Sequence, residues 1–137
     1  MTAAELRYLI ATNEIHNVTR VGVKLTDIAN RMGVSKVSVY RAAERLERNG
    51  YIMRDEKNKI VITDYGRQQL NDYLEIIEFI RVNLISRCGT PEEQAYQDAL
   101  GVACVLSDYS RGKIAEFVLA DKSAEAAESA GESDETE

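Results

Sequence analysis

The chain has 137 residues, 45% of them hydrophobic, with two cysteines, one histidine and a net charge of −6. That suffices for one domain, or for a small domain with a helical extension, to bury a core without disulfide or metal staples. Two cysteines exclude a secreted disulfide framework. No run approaches the roughly 18 apolar residues of a membrane span and no signal peptide opens the chain, so a soluble cytoplasmic protein with no membrane partner is expected.

Taken in order, Ala3–Glu14 reads as a first helix, with Leu6, Leu9 and Ile10 as its apolar stripe. His16, Asn17 and Thr19 mark a connection into Val21–Leu25, a candidate short strand, and His16 reads as a solvated loop residue. Thr26 is placed to cap a helix over Asp27–Met32 whose apolar face is Ile28, Ala29 and Met32. Gly33 supplies the φ > 0 turn, Val34 plugs the corner and Ser35 caps the next helix. That helix buries Val39, Ala42, Ala43 and Leu46 at helical spacing, and Asn49-Gly50 stops it. Its other face carries Lys36, Ser38, Tyr40, Arg41, Arg45 and Arg48. A short helix, a tight turn and a basic second helix make the helix-turn-helix pattern.

Two strand-like runs follow at Tyr51–Arg54 and Lys59–Thr63, around the polar loop Asp55–Asn58. A hairpin straight after the second helix makes the unit a winged helix. Thr63-Asp64 then caps a long helix to about Ser86, striped by Leu70, Tyr73, Leu74, Ile77, Ile80 and Leu84. Ile76, Phe79, Val82 and Ile85 add a second apolar face, which calls for partners on more than one side: a second subunit, or the last helices of the same chain. Thr90-Pro-Glu-Glu93 starts a fifth helix to about Leu106, and Ser107 or Ser110 caps a last one bearing Ile114, Phe117 and Val118. From Asp121 no apolar residue is larger than alanine, and the segment reads as a disordered acidic tail.

The expected fold class is thus mostly α. A winged helix-turn-helix domain spans 1–66, a helical dimerisation region 67–120, and the tail 121–137. The charge divides along the same lines. Residues 1–62 hold 11 Lys+Arg against 7 Asp+Glu, residues 63–120 hold 5 against 9, and residues 121–137 hold 1 against 7. The positive excess lies where a winged helix meets DNA, and local charge governs phosphate attraction.

Laid end to end, residues 5–118 resemble the metal-dependent repressors of the diphtheria toxin repressor type. The resemblance is carried by Tyr8-Leu9, Thr26-Asp-Ile-Ala29, Gly33-Val-Ser35, Ser38-Val39, Arg45-Leu-Glu47 and Asn49-Gly50. Further along it is carried by Ile62-Thr63, Tyr65-Gly-Arg67, Phe79-Ile80 and the Gly89…Pro91-Glu-Glu…Ala95 stretch. It is closest in form to the short members that have no SH3-like domain. It implies a homodimer on a palindromic operator with a divalent metal, manganese or iron, as corepressor. The ligand positions that it implies fall on Arg7 and Ile10, on Tyr73 and Ile77, and on Leu100, Ala103 and Cys104. Cys104 is the one transition-metal ligand of that set, and Asp98 lies one turn away from where a carboxylate is wanted. One thiol does not make an iron or manganese site. The expectation is a DNA-binding scaffold kept and a metal switch lost.

The functional expectation is a homodimeric transcriptional regulator, most simply a repressor, that binds double-stranded DNA. Arg41 is the expected base reader, with Ser38 and Tyr40 assisting from beside it and Ser35 at the helix start. Lys36, Arg45, Arg48, Arg54, Lys57 and Lys59 are expected on phosphates. The competing expectation, favoured by the acidic second half, is a winged-helix module that binds protein rather than DNA. An enzyme is not expected, since one histidine and no glycine-rich loop leave no catalytic set to argue from.

Overall fold

The computed structural model describes residues 1–135. Among them the chain forms α1 (Ala3–Thr19), α2 (Leu25–Met32), α3 (Lys36–Arg48), β1 (Ile52–Arg54), β2 (Ile60–Ile62), α4 (Asp64–Cys88), α5 (Glu92–Val105) and α6 (Asp108–Glu135). The fold class is mostly α with a two-stranded wing, as the sequence predicts. Two compact units divide it, Met1–Asn71 and Asp72–Glu137, so the division falls inside α4 a few residues beyond the expected boundary.

The first unit is built on one apolar core. Leu6 and Leu9 of α1, Ile28 and Ala29 of α2, and Val39, Ala42, Ala43 and Leu46 of α3 are all buried. Ile52 and Ile60 of the wing and Leu70 of α4 are buried as well. The wing pairs antiparallel in the register Ile52↔Ile62, Met53↔Val61 and Arg54↔Ile60. Its loop is closed by Asp55, whose Oδ1 accepts from the amides of Lys57 (2.9 Å) and Lys59 (2.8 Å). The side-chain carboxylate thereby mimics a backbone turn, and Asn58 takes the left-handed conformation beside it.

The helix ends explain where the sequence reading moves. α1 runs on through His16, Asn17 and Thr19 to a left-handed cap at Arg20, so the expected connection there is helical. Thr19 Oγ1 donates to the Ile15 carbonyl, which satisfies a polar side chain without leaving the helix. Val21–Leu25 gives no strand but one bridge, Val23↔Ile60, against the wing. α2 starts at Leu25 after Lys24, not behind a Thr26 cap, and Thr26 lies within its first turn. Gly33 has φ 67° and Ser35 Oγ accepts from Ser38 N, both as expected, although Val34 at the corner is 36% exposed.

One corner joins α3, the wing and α4. Thr63 Oγ1 donates to the Gly50 carbonyl at 2.6 Å and accepts from Gly66 N at 2.9 Å, capping α4. Thr63 N donates to the Tyr51 carbonyl, and the rings of Tyr51 and Tyr65 stack at 5.5 Å. Gly66 is needed because the Tyr51 backbone passes over it: an added Cβ would lie 2.0 Å from that carbonyl oxygen.

The second unit packs Tyr73, Ile76 and Ile77 of α4 with Ala95, Ala99, Leu100 and Ala103 of α5 as its buried residues. Three of these seven are alanine, small enough for close helix approach. Arg81 ties the helices by a fork to Glu78 (2.9 and 3.0 Å) and a further contact to Glu92 (2.9 Å). That fork holds the Glu78 carboxyl below the usual glutamate range. α5 begins behind Pro91 with no side-chain cap, one residue later than the Thr90 cap expected. Ser107 Oγ accepts from Ser110 N at the start of α6.

α6 does not stop at Asp121 but continues to Glu135. The acidic segment was expected to be disordered because it buries little. Its alanines and glutamates are strong helix formers, and Lys122 pairs with Glu75 of α4 at 2.8 Å. The last two residues of that segment lie outside the described residues.

The corner gives a stability prediction. Gly66→Ala should lower stability by several kcal/mol, because a backbone carbonyl must move. Gly112→Ala, exposed within α6 with nothing near its added Cβ, should raise it by up to about 1 kcal/mol. Thermal melts of the two variants check this.

Candidate nucleic-acid interface

The exposed face of α3 is the outcome of its own periodicity. With Val39, Ala42, Ala43 and Leu46 turned into the core, Lys36, Ser38, Tyr40, Arg41, Glu44, Arg45 and Arg48 are left in solvent. Ser35, the cap, is also exposed, and its Oγ lies 3.0 Å from Ser38 Oγ as well as accepting from the Ser38 amide. The start of the helix is thereby held by two serines and offers hydroxyls at its positive end. Lys57 is exposed on the wing loop and Lys59 is half-buried behind it.

The basic residues differ in how they are held. Lys36, Arg41, Arg48 and Lys57 make no side-chain ion pair or hydrogen bond among the described residues. Arg45 does: its Nε lies 3.3 Å from Oε1 of Glu5, whose side chain is 8% exposed. Glu5 also closes the capping box of α1, with Oε2 accepting from Thr2 N while Thr2 Oγ1 accepts from Glu5 N. One buried carboxylate therefore fixes both the start of α1 and the middle of α3. Arg54 is held more tightly still. It is 16% exposed, with Nε 3.2 Å from Glu47 Oε2 and Cζ 5.0 Å above the ring of Tyr40. The sequence puts both arginines on phosphates, since Glu5 stands forty positions from Arg45 and Glu47 lies on α3, in a different element from Arg54.

His16 is half-buried near the end of α1, with Nδ1 3.2 Å from the Val21 carbonyl, and is not the solvated loop residue expected.

The residues on which the resemblance would put a metal do not fit one. In the first unit, Arg7 is an exposed cation and Ile10 a hydrocarbon. In the second, Ile77, Leu100 and Ala103 are buried and offer no donor. Tyr73 carries the Arg111 guanidinium 5.1 Å from its ring centroid, which places a permanent cation there. Arg111 is itself fixed by the Leu106 carbonyl at 2.5 Å and by Asp108. Cys104 is half-buried, whereas Asp98 is exposed and accepts from Gln94 at 2.8 Å. Six residues apart on α5, the two are about 120° apart around the helix. Among the described residues, no group of three His, Cys, Asp or Glu is arranged to hold a metal ion. No helix among them is long and apolar enough to cross a membrane.

The Glu5–Arg45 pair should be measurable. A double-mutant cycle of Glu5→Ala and Arg45→Ala in urea unfolding should give a coupling of about 1 kcal/mol, because the carboxylate is buried. The Glu14–Arg31 pair, half exposed on both sides, should give about 0.5 kcal/mol or less.

Comparison with known proteins agrees with this geometry. Residues 3–70 match the model of the Crp-like helix-turn-helix domain. By sequence, no curated protein matches the chain. Among solved structures, a hypothetical protein from Sulfolobus solfataricus is 19% identical, with a TM-score of 0.69 over 86% of this chain and 89% of that one. The manganese regulator SloR is 16% identical and the metal-dependent transcriptional regulator MtsR 19% identical, each with a TM-score of 0.67 over 86% of this chain. The chain spans 54% of the length of either regulator. Residues 3–70 are thus similar to a Crp-like helix-turn-helix domain, and the chain shares the fold of these solved structures.

Proposed function

We propose that the protein is a DNA-binding transcriptional regulator that acts as a homodimeric repressor on a palindromic site, without a metal switch at the family's position. The observation that carries the reading is the α3 face. Lys36, Arg41 and Arg48 stand exposed without ion pairs among the described residues, on a helix capped by Ser35 and flanked by a wing bearing Lys57. The helix-turn-helix match over residues 3–70 supports the same reading. In it, α3 lies in the major groove and the wing beside it. Two copies read half-sites roughly 34 Å, or a multiple of it, apart.

Within that frame the residues take different tasks. Arg41, exposed at mid-helix, has the planar fork that fits guanine O6 and N7, and Ser35 and Ser38 supply hydroxyls at the helix start. Lys36, Arg48, Lys57 and Lys59 meet phosphates, which orient the domain and carry no sequence information. Arg45 contributes to phosphate attraction from a position fixed by Glu5. The DNA-binding unit acts through the positive excess of residues 1–62, and the acidic remainder of the chain keeps nonspecific attachment down.

The apolar faces of the second unit support the dimer. Val102 and Val105 of α5 and Tyr109, Phe117 and Leu119 of α6 are exposed, more than isolated surface residues require. The absence of a metal switch is supported by the donor set: Ile10, Ile77, Leu100 and Ala103 offer no donor, Arg7 is a cation, Arg111 lies against Tyr73, and Cys104 is the one ligand at the positions that the resemblance marks.

Two variants test the assignment on any DNA that the protein prefers. Arg41→Ala should cost about 1–3 kcal/mol and relax preference at one base pair. Lys57→Ala should weaken all sequences alike and reduce the slope of log affinity against log salt by about 0.9. Anisotropy titrations at several salt concentrations separate the two. Unchanged sequence preference in Arg41→Ala would sink its role as base reader.

A further inference from the structure

Arg54 ends β1 on the wing, a position from which a cation usually reaches for phosphate. Here it is turned inward. Its side chain is 16% exposed, and Nε and Nη2 are buried without a hydrogen-bond partner. The contact with Glu47 Oε2 at 3.2 Å is an ion pair that falls short of hydrogen-bond geometry. The guanidinium instead lies over Tyr40, with Cζ 5.0 Å from the ring centroid. Tyr40 and Glu47 are seven residues apart on α3, two turns along one face. Arg54 therefore lies along the recognition helix and joins it to the wing.

Burying a guanidinium with unused donors is costly unless an aromatic face and a carboxylate compensate. What this arrangement yields is a fixed ring. Tyr40 remains 46% exposed, so Arg54 lies over one face of the ring while nearly half of the residue stays open to solvent. An aromatic edge and a hydroxyl are groups that read thymine methyls and base-edge acceptors in a major groove. Without a cover on one face, such a side chain would sample several rotamers.

We infer that Arg54 is a positioning residue. By stacking on Tyr40 and pairing with Glu47 it holds the tyrosine in one orientation, and so sets sequence preference without contacting DNA. The inference rests on the DNA-binding reading above and adds to it a residue that acts on base choice through another. It also separates Arg54 from Lys57, its neighbour on the wing, which stays exposed.

The test uses the full chain and compares wild type, Tyr40→Ala, Arg54→Ala, Arg54→Lys, the Tyr40/Arg54 double alanine variant and Lys57→Ala. Thermal melts first establish that each is folded, and Arg54→Lys decides if Arg54→Ala is not. Randomised-DNA selection then gives the preference at each position, and titrations give the salt slope. Tyr40→Ala marks the base step that depends on the ring. Arg54→Ala and Arg54→Lys should both lose preference at that same step, within the ~5–150-fold that one good base contact supplies. Lysine lacks the planar guanidinium, so keeping the charge does not rescue. The double variant should lose no more than Tyr40→Ala alone, and the salt slope should stay at the wild-type value in both Arg54 variants. A slope reduced by about 0.9 in Arg54→Ala, with preference intact and Arg54→Lys like wild type, would make Arg54 a phosphate contact and overturn the inference alone. A wild-type protein that selects no sequence would overturn the DNA-binding reading itself.

Discussion

The threonine hydroxyl at the foot of α4 sits where three elements of the first unit end or begin. Thr63 Oγ1 reaches back to the Gly50 carbonyl behind α3 and forward to the Gly66 amide. A single side chain thus satisfies an orphan carbonyl after one helix and an orphan amide of the next. The stacked rings of Tyr51 and Tyr65 cover the same corner, and the glycine beneath the Tyr51 carbonyl has no room for a side chain. The wing leaves from this corner and returns to it. These short contacts hold the wing to α3 beside the core that buries Ile52 and Ile60. A three-residue strand pair alone is too short to hold its own position.

Charge placement follows from the same economy. The first unit has more cations than anions, yet its arginines are not equivalent. Glu5 and Glu47 draw Arg45 and Arg54 into the fabric of the domain, while Arg41 and Arg48 are left to solvent. A carboxylate beside a cation lowers its value as a phosphate contact and raises its value as a strut. Of the six cations expected on phosphates, Arg45 and Arg54 are paired with carboxylates of the same unit. In the second unit Arg111 does similar work, closing the last carbonyls of α5 while lying over Tyr73.

The elements that were legible in the sequence are those decided within a few residues. The Ser35 cap, the Gly33 turn, the Asn49-Gly50 stop and the Asp55–Asn58 loop each act locally, and the structure has all four. So does the buried stripe of α3, from which the exposed face follows by subtraction. The misread stretches depend on distant partners or on propensity outweighing composition. His16 and Thr19 look like loop residues but are absorbed into α1 by contacts to nearby carbonyls. The Val21–Leu25 run has β-branched character, yet only Val23 finds a partner, Ile60, and Leu25 is claimed by α2. Arg45 was unreadable as an architectural residue because Glu5 is forty positions away. Arg54 was unreadable because nothing in the sequence says that the wing folds back over Tyr40.

We propose that a DNA-reading scaffold works here without a metal at the positions that the resemblance marks. Selection of genomic fragments by the purified full chain, run in parallel with chelator and with added manganese or iron, tests it most directly. The account predicts one palindromic sequence enriched to the same extent in both arms. Enrichment only when metal is present would contradict it and would point to a rebuilt site, with Cys104 and Asp98 the first residues to replace.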